Sequence, residues 1–297
     1  MDNLDLFGEI VISDPLLRDI FSEQPLTVLD TKSGPWQSRK KQWLAKGIKS
    51  EVGRDADLTF SGAAGKFDFY RVKEGKKKTT EEQGTSIFDP ALCELMYRWY
   101  CPEGGSILDP FAGGSVRGVV ANYLGFKYTG IELRPEQVES NRQQGLDILP
   151  VNNQPQWYCG DSEAVLSGEW TQLFDFIFSC PPYADLEVYS DLAEDLSNMP
   201  YDVFIEKYFS IIEKSLLLLK PGAFACFVVG DIRDKRGFYR DFISHTKQAF
   251  IRAGALLYDE AVLLNVVGSA SMRADKTFSA NKKLVKIHQN VLIFKKL

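Results

Sequence analysis

Phe174-Asp175-Phe176-Ile177-Phe178 runs directly into Ser179-Cys180-Pro181-Pro182-Tyr183. A short apolar run of this length reads as a strand buried on both faces. Two consecutive prolines then end it, because neither can donate to a ladder. Strands buried on both faces belong to α/β sheets with helices on either side. In an open α/β sheet, ligands bind outside the carboxyl ends of the strands. The stretch therefore fixes both a fold class and a place for chemistry. A rigid turn whose carbonyls accept hydrogen bonds, followed by an aromatic ring, suits a planar base: a carbonyl takes an amino hydrogen and Tyr183 stacks on the face.

The other strand tips carry matching signals. Ile107-Leu108-Asp109 ends a strand. Pro110-Phe111-Ala112-Gly113-Gly114-Ser115 makes a turn, and a helix is predicted from Val116 to Leu124. Strand, glycine turn and helix form the opening unit of a nucleotide-binding α/β fold. The turn is neither G-x-G-x-x-G nor a P-loop. The next strand, Lys127 to Ile131, ends at Glu132, where a carboxylate is placed to accept both hydroxyls of a ribose. A third, Gln156 to Cys159, ends at Asp161-Ser162, where an acid accepts an exocyclic amino hydrogen. One acid at a strand tip is commonly a helix cap, but three in register after a glycine turn are hard to explain as caps. Upstream, Asp89-Pro90 is an N-cap with proline at the first helical position. Downstream, helices are predicted over Tyr201–Leu219 and Phe238–Gly254. Strands are predicted over Ala223–Val229, within Ala255–Val266 and over His288–Lys296.

Charge is uneven. The 297 residues carry a net charge of −5, yet Trp36 to Lys78 holds twelve Lys/Arg against five acids, interleaved with Trp36, Trp43, Phe67, Phe69 and Tyr70. Cations among aromatics fit a nucleic-acid grip, with the alternative of a solvated loop. Trp36, Arg39, Lys40 and Lys41, with Arg273, Lys282 and Lys283 from a second basic stretch, are the candidate DNA contacts. Five cysteines without a C-x-x-C pair and only two histidines argue against a disulfide framework and a metal centre. Without a long apolar run or a signal-like start, the chain reads as cytoplasmic and not membrane-bound. The expected division is a basic, loop-rich extension over residues 1–84 and an α/β domain over 85–297.

The ordered set D-P-F-A-G-G, G-I-E, G-D, S-C-P-P-Y, V-V-G-D and H-Q-N-V-L-I-F-K-K resembles the S-adenosylmethionine-dependent DNA amino-methyltransferases, in their bacteriophage or prophage form. The resemblance implies a Rossmann-like fold with a seven-stranded, mostly parallel sheet, an antiparallel last strand and helices on both faces. It implies S-adenosyl-L-methionine as cofactor and double-stranded DNA as partner, with the target base flipped out and Tyr183 stacking on it. Carried over by position, Asp109, Pro110, Phe111, Gly113, Gly114 and Ser115 would cradle the methionine part. Glu132 would hold the ribose, and Asp161 with Ser162 the adenine. Ser86, Phe88 and Asp89 match an additional cofactor segment. Ser179, Cys180, Pro181, Pro182 and Tyr183 would receive the base.

One position departs from the pattern. The family places Asp, Asn or Ser immediately before Pro-Pro, and Cys180 stands there. A thiol is a weak acceptor, so cytosine N4 and adenine N6 both remain open. Three other readings stand beside these: an RNA base methyltransferase, a pyrimidine C5 methyltransferase with Cys180 as nucleophile, and an inactive nucleic-acid-binding protein.

Overall fold

A computed structural model describes residues 21, 23–49, 88–184, 190–265 and 270–297. Along the chain the described elements are β1 (Val28–Asp30), α1 (Gly34–Ala45), α2 (Pro90–Tyr100), β2 (Ser106–Asp109), α3 (Val116–Tyr123), β3 (Lys127–Glu132), α4 (Pro135–Ile148), β4 (Gln156–Cys159), α5 (Ser162–Leu166), β5 (Phe174–Ser179), α6 (Tyr201–Leu217), β6 (Leu219–Val229), α7 (Phe242–Arg252), β7 (Ala255–Leu264), α8 (Ala270–Asn281) and β8 (His288–Lys296).

The strands form one sheet in the order β1-β7-β8-β6-β5-β2-β3-β4. Every neighbouring pair is parallel except β6–β8 and β7–β8, so β8 alone runs against the rest. The chain builds outward from β2 through β3 to β4, then returns to the other side of β2 for β5 and β6. Strand order thus reverses between β2 and β5, the topological switch point of a Rossmann-like sheet.

Alternation along the strands sends side chains into two cores. Ile107, Phe176, Phe178, Cys226, Val228, Val291 and Ile293 pack on one face under α1, α2 and α3. Leu108, Ile177, Ala225, Phe227, Val229, Leu292 and Phe294 pack on the other under α6 and α7. This is why β5 reads as an unbroken apolar run: it is covered on both faces.

Four expectations change. The sheet has eight strands, not seven, because Val28–Asp30 adds an edge strand beside β7. Residues 34–45, expected in a loop-rich stretch, form a helix whose Trp36 and Trp43 lie in the first core. β6 starts at Leu219, not at the predicted Ala223, and runs through Lys220-Pro221-Gly222. The register shifts there between Phe174–Leu219 and Phe176–Phe224, and Gly222 takes φ +76°, so a bulge absorbs the proline. α7 starts at Phe242, not Phe238, because residues 232–240 close a tight turn first. Most of the basic stretch between Trp36 and Lys78 lies outside the described residues, as does Ser86.

Candidate active site

The three acidic tips and the Pro-Pro turn meet at one edge of the sheet. At its centre Asp109 is fully buried, and both carboxylate oxygens are committed. Oδ1 accepts from Phe111 N (3.1 Å) and Ser179 Oγ (2.5 Å). Oδ2 accepts from Arg117 Nε (2.5 Å) and Tyr128 Oη (2.7 Å). Arg117, on the first turn of α3, also donates through Nη2 to the carbonyls of Phe111 (2.5 Å) and Ala112 (2.7 Å), and its guanidinium lies 4.6 Å from the Phe88 ring centroid. One buried ion pair therefore shapes the glycine turn from inside. Burial pushes the Tyr128 hydroxyl well above its ordinary pKa, and the neighbouring Asp109 carboxylate adds to this, so it remains a donor.

The turn is held from outside by β3 and α4. Glu132 Oε2 accepts from Gly113 N (3.0 Å) and Oε1 from Arg134 N (3.0 Å). Asn141 donates to the Gly113 carbonyl (2.7 Å), and Ser115 Oγ donates to Gln144 (3.0 Å). Gly130 is glycine for close approach: a Cβ there would meet Tyr128 Cε1 at 2.7 Å and Ala112 Cβ at 2.9 Å. Gly113 takes φ +55°, the left-handed region, and a Cβ there would meet no atom within 4 Å. The turn thus presents a bare backbone toward open space with a carboxylate beside it. A cradle of that kind fits the aminoacyl and ribose parts of a nucleoside cofactor.

At the third tip, Asp161 caps α5 through Glu163 N (3.3 Å) and pairs with Lys207 Nζ of α6 at 3.1 Å. Ser162 Oγ donates to the Pro110 carbonyl (2.5 Å), tying this tip to the glycine turn. Phe111 packs between Tyr208 (5.7 Å) and Phe227 (6.3 Å).

In the Pro-Pro turn, Ser179 is fully buried on Asp109, so its hydroxyl serves the scaffold. Cys180 is half-buried against the first core, and Pro181 is buried. Tyr183 accepts a hydrogen bond from Gln289 Nε2 of β8 (2.5 Å) and stands edge-on to Phe242 at 6.3 Å. Ala184, immediately after it, takes φ +47°, a strained conformation for a residue with a Cβ.

The candidate DNA residues divide. Trp36 and Arg39 face inward. Arg39 makes a two-pronged ion pair with the fully buried Glu94 of α2 (Nε–Oε2 2.8 Å, Nη2–Oε1 2.7 Å), and Trp43 Nε1 donates to the same carboxylate (2.8 Å). Asp89 caps α2 through Ala91 N (3.0 Å) and accepts from Trp36 Nε1 (3.2 Å) and Lys40 Nζ (3.1 Å). Two residues expected on DNA and one expected on the cofactor therefore hold each other. Lys41, Arg273 and Lys282 are exposed, and Lys283 is half-buried.

Sequence reasoning missed Arg117, Tyr128, Asn141, Lys207 and Gln289. Their side chains act across elements, and only Gln289 lay inside a quoted motif. Among the described residues, no cluster of His, Cys, Asp and Glu suits a metal ion, and no helix is long and apolar enough to cross a membrane.

Residues 22–143 match the family model described as DNA methylase, N6_N4_Mtase. That match supports a methyltransferase. It covers the glycine turn and Glu132 and stops short of the Pro-Pro turn. No curated protein matches the chain. Among solved structures, TrmN from Thermus thermophilus is 15% identical with a TM-score of 0.47; 71% of this chain and 49% of that one are covered, so the chain spans about half its length. Magnesium protoporphyrin IX methyltransferase (ChlM) from Synechocystis PCC 6803, with bound SAM, is 12% identical with a TM-score of 0.44, covering 84% of this chain and 100% of that one. A TehB-like SAM-dependent methyltransferase from Corynebacterium glutamicum is 15% identical with a TM-score of 0.43, covering 79% and 99%.

Proposed function

We propose that the protein is a DNA methyltransferase acting on an exocyclic amino group, cytosine N4 or adenine N6, of a base turned out of the duplex, with S-adenosyl-L-methionine as methyl donor. The observation that carries this reading is the Ser179–Asp109 hydrogen bond. It joins the base-accepting turn to the glycine turn across the switch point, so donor and acceptor sites share one rigid support.

The cofactor supplies a methyl group already activated on a sulfonium. The protein's part is orientation and exclusion of water. The Gly113 backbone and Glu132 hold the aminoacyl and ribose parts, and Asp161, in reach of Lys207, faces the adenine. An exocyclic amino group is a poor nucleophile while its lone pair is delocalised into the ring. Carbonyl acceptors at Cys180–Pro182 favour the pyramidal geometry that develops as the new N–C bond forms. Tyr183, steadied by Gln289, stacks on the base. With Ser179 Oγ turned onto Asp109, backbone carbonyls become the chief acceptors.

The test is to incubate the protein with S-adenosylmethionine and either unmodified double-stranded DNA or RNA, then identify new nucleosides by mass spectrometry. N4-methylcytosine or N6-methyladenine in DNA is the expected product. 5-Methylcytosine would make Cys180 a nucleophile instead, and modification of RNA alone would overturn the DNA assignment.

A further inference from the structure

Between β6 and α7 the chain makes a tight projecting turn that none of the site motifs includes. Asp234 N donates to the Phe238 carbonyl (2.8 Å), Gly237 N to the Asp234 carbonyl (2.8 Å) and Arg240 N to the Ile232 carbonyl (2.9 Å), while Arg233 bridges Tyr239. The Asp234 carboxylate is spent inside the turn, accepting from Arg236 N (3.0 Å), Phe238 N (2.9 Å) and the Arg236 guanidinium (Nε, 3.0 Å), whose side chain is still 81% exposed. Asp231 is likewise spent on Ile243 N at the start of α7 (3.2 Å). What faces solvent is Arg233, Lys235, Arg236, Phe238 and Tyr239. Phe238 is 68% exposed, a high value for a phenylalanine on a well-packed turn. Arg233 lies 3.8 Å over the Tyr239 ring and Arg236 lies 5.8 Å from the Phe238 ring.

Two neighbours give the turn its direction. The segment after α8 buttresses it: a Cβ on Gly237 would strike Lys283 Nζ, and one on Gly230 would come within 3.4 Å of Lys286 Nζ. Residues 231–241 and 270–286 together carry nine Lys/Arg against four acids on a chain of net charge −5. The turn also leads directly into Phe242, which packs on Tyr183. The Phe238 and Phe242 Cα atoms are about 14 Å apart at most, and the turn follows the carboxyl end of β6, which runs parallel to β5, so it lies at the same end of the sheet as the ring assigned to the base.

We infer that residues 232–240 form a duplex-gripping element, with Lys235 and Arg236 on phosphates and the Phe238 ring entering the base stack where the target nucleotide leaves it. The inference rests on the DNA reading above. An apolar wedge flanked by cations suits double-stranded DNA, because the cations neutralise phosphates and the ring replaces lost stacking.

The probes are two labelled 30-base-pair DNA duplexes of mixed sequence, one intact and one with a single abasic position, titrated over a range of salt. The wild-type protein should bind the abasic duplex several-fold more tightly than the intact one. Phe238→Ala should erase that preference, with cofactor affinity unchanged. Lys235→Gln with Arg236→Gln should weaken binding to both duplexes about ten-fold and reduce the salt slope by about two, near 0.9 per phosphate contact. An unchanged preference in Phe238→Ala, or an unchanged slope in the double variant, overturns the inference. Tighter binding of an RNA duplex, sensitive to the same variants, overturns DNA as the occupant. Failure of the methylation reading looks different: no new nucleoside forms, while the variants still lose duplex binding.

Discussion

Replacing Asp109 by alanine would strand the Arg117 guanidinium, which is only 6% exposed, without its carboxylate. Breaking a buried pair from one side costs about 3–5 kcal/mol. Asp109→Ala should therefore show first as a large fall in melting temperature, measured by calorimetry. Glu132 sits on the turn's outer side, less buried than Asp109, and holds Gly113 N and Arg134 as well as facing the cradle, so Glu132→Ala should loosen the turn and weaken ligand binding together. Losing a charge-assisted hydrogen-bonding partner of about 1.5–3 kcal/mol corresponds to roughly ten- to hundred-fold weaker S-adenosylmethionine binding by isothermal titration. The two acids look alike at their strand tips in sequence, and burial separates their work. Their position was legible from the glycine turn and the strand spacing. Asp109's role as a hub was not, because its partners Arg117, Tyr128 and Ser179 come from three other elements.

At the level of elements, α1 was the least legible part. Its tryptophans and cations suggest a nucleic-acid face, but the same residue types also build a helix docked by two buried tryptophans and a buried ion pair. Only Glu94, fifty-five residues beyond Arg39, decides between them. Arg39→Met should therefore destabilise the protein in urea unfolding by about 3–5 kcal/mol while, under the proposed DNA reading, leaving the salt slope of duplex binding unchanged. By contrast, β5 with its Pro-Pro turn and the strand at β8 were readable, because local apolar patterning specifies them. At the opposite edge of the sheet, Asp175 of β5 stitches β2 and β6: it accepts from Ser106 N and Oγ (both 2.9 Å) and from Lys220 Nζ (2.6 Å). Desolvation pushes this carboxyl up, but Lys220 and Ser106 more than offset it and hold it below its ordinary 3.8. A folded-state value below the unfolded one gives stability that is present above about pH 4 and lost as pH falls through the folded value. Asp175→Asn should therefore lower stability at neutral pH, and its curve should meet the wild-type curve in acid, as followed by chemical denaturation across pH.

For the molecule as a whole, the five cysteines report how completely the layers close, and they form no disulfide. Cys93 and Cys226 are fully buried, and burial pushes both thiols well up. Cys101 is pushed up to about 12 by the same cause. Cys159 is exposed at the tip of β4 beside Glu132. In the native protein at neutral pH, a thiol reagent should label Cys159 first. Cys93, Cys101 and Cys226 should react only on global unfolding, as mass spectrometry of timed labelling would show.

The sheet's order also constrains the protein's birth. β8 follows every other strand in the chain yet lies between β6 and β7, pairing with both. A polypeptide halted on the ribosome before His288 would leave those two strands unbridged and Tyr183 without Gln289. Such a fragment could still assemble the glycine turn, since β2, β3 and β4 precede it. The Pro-Pro turn would gain its Gln289 contact only with the closing strand, so a chain released before it would carry the cofactor cradle beside an unfinished neighbour.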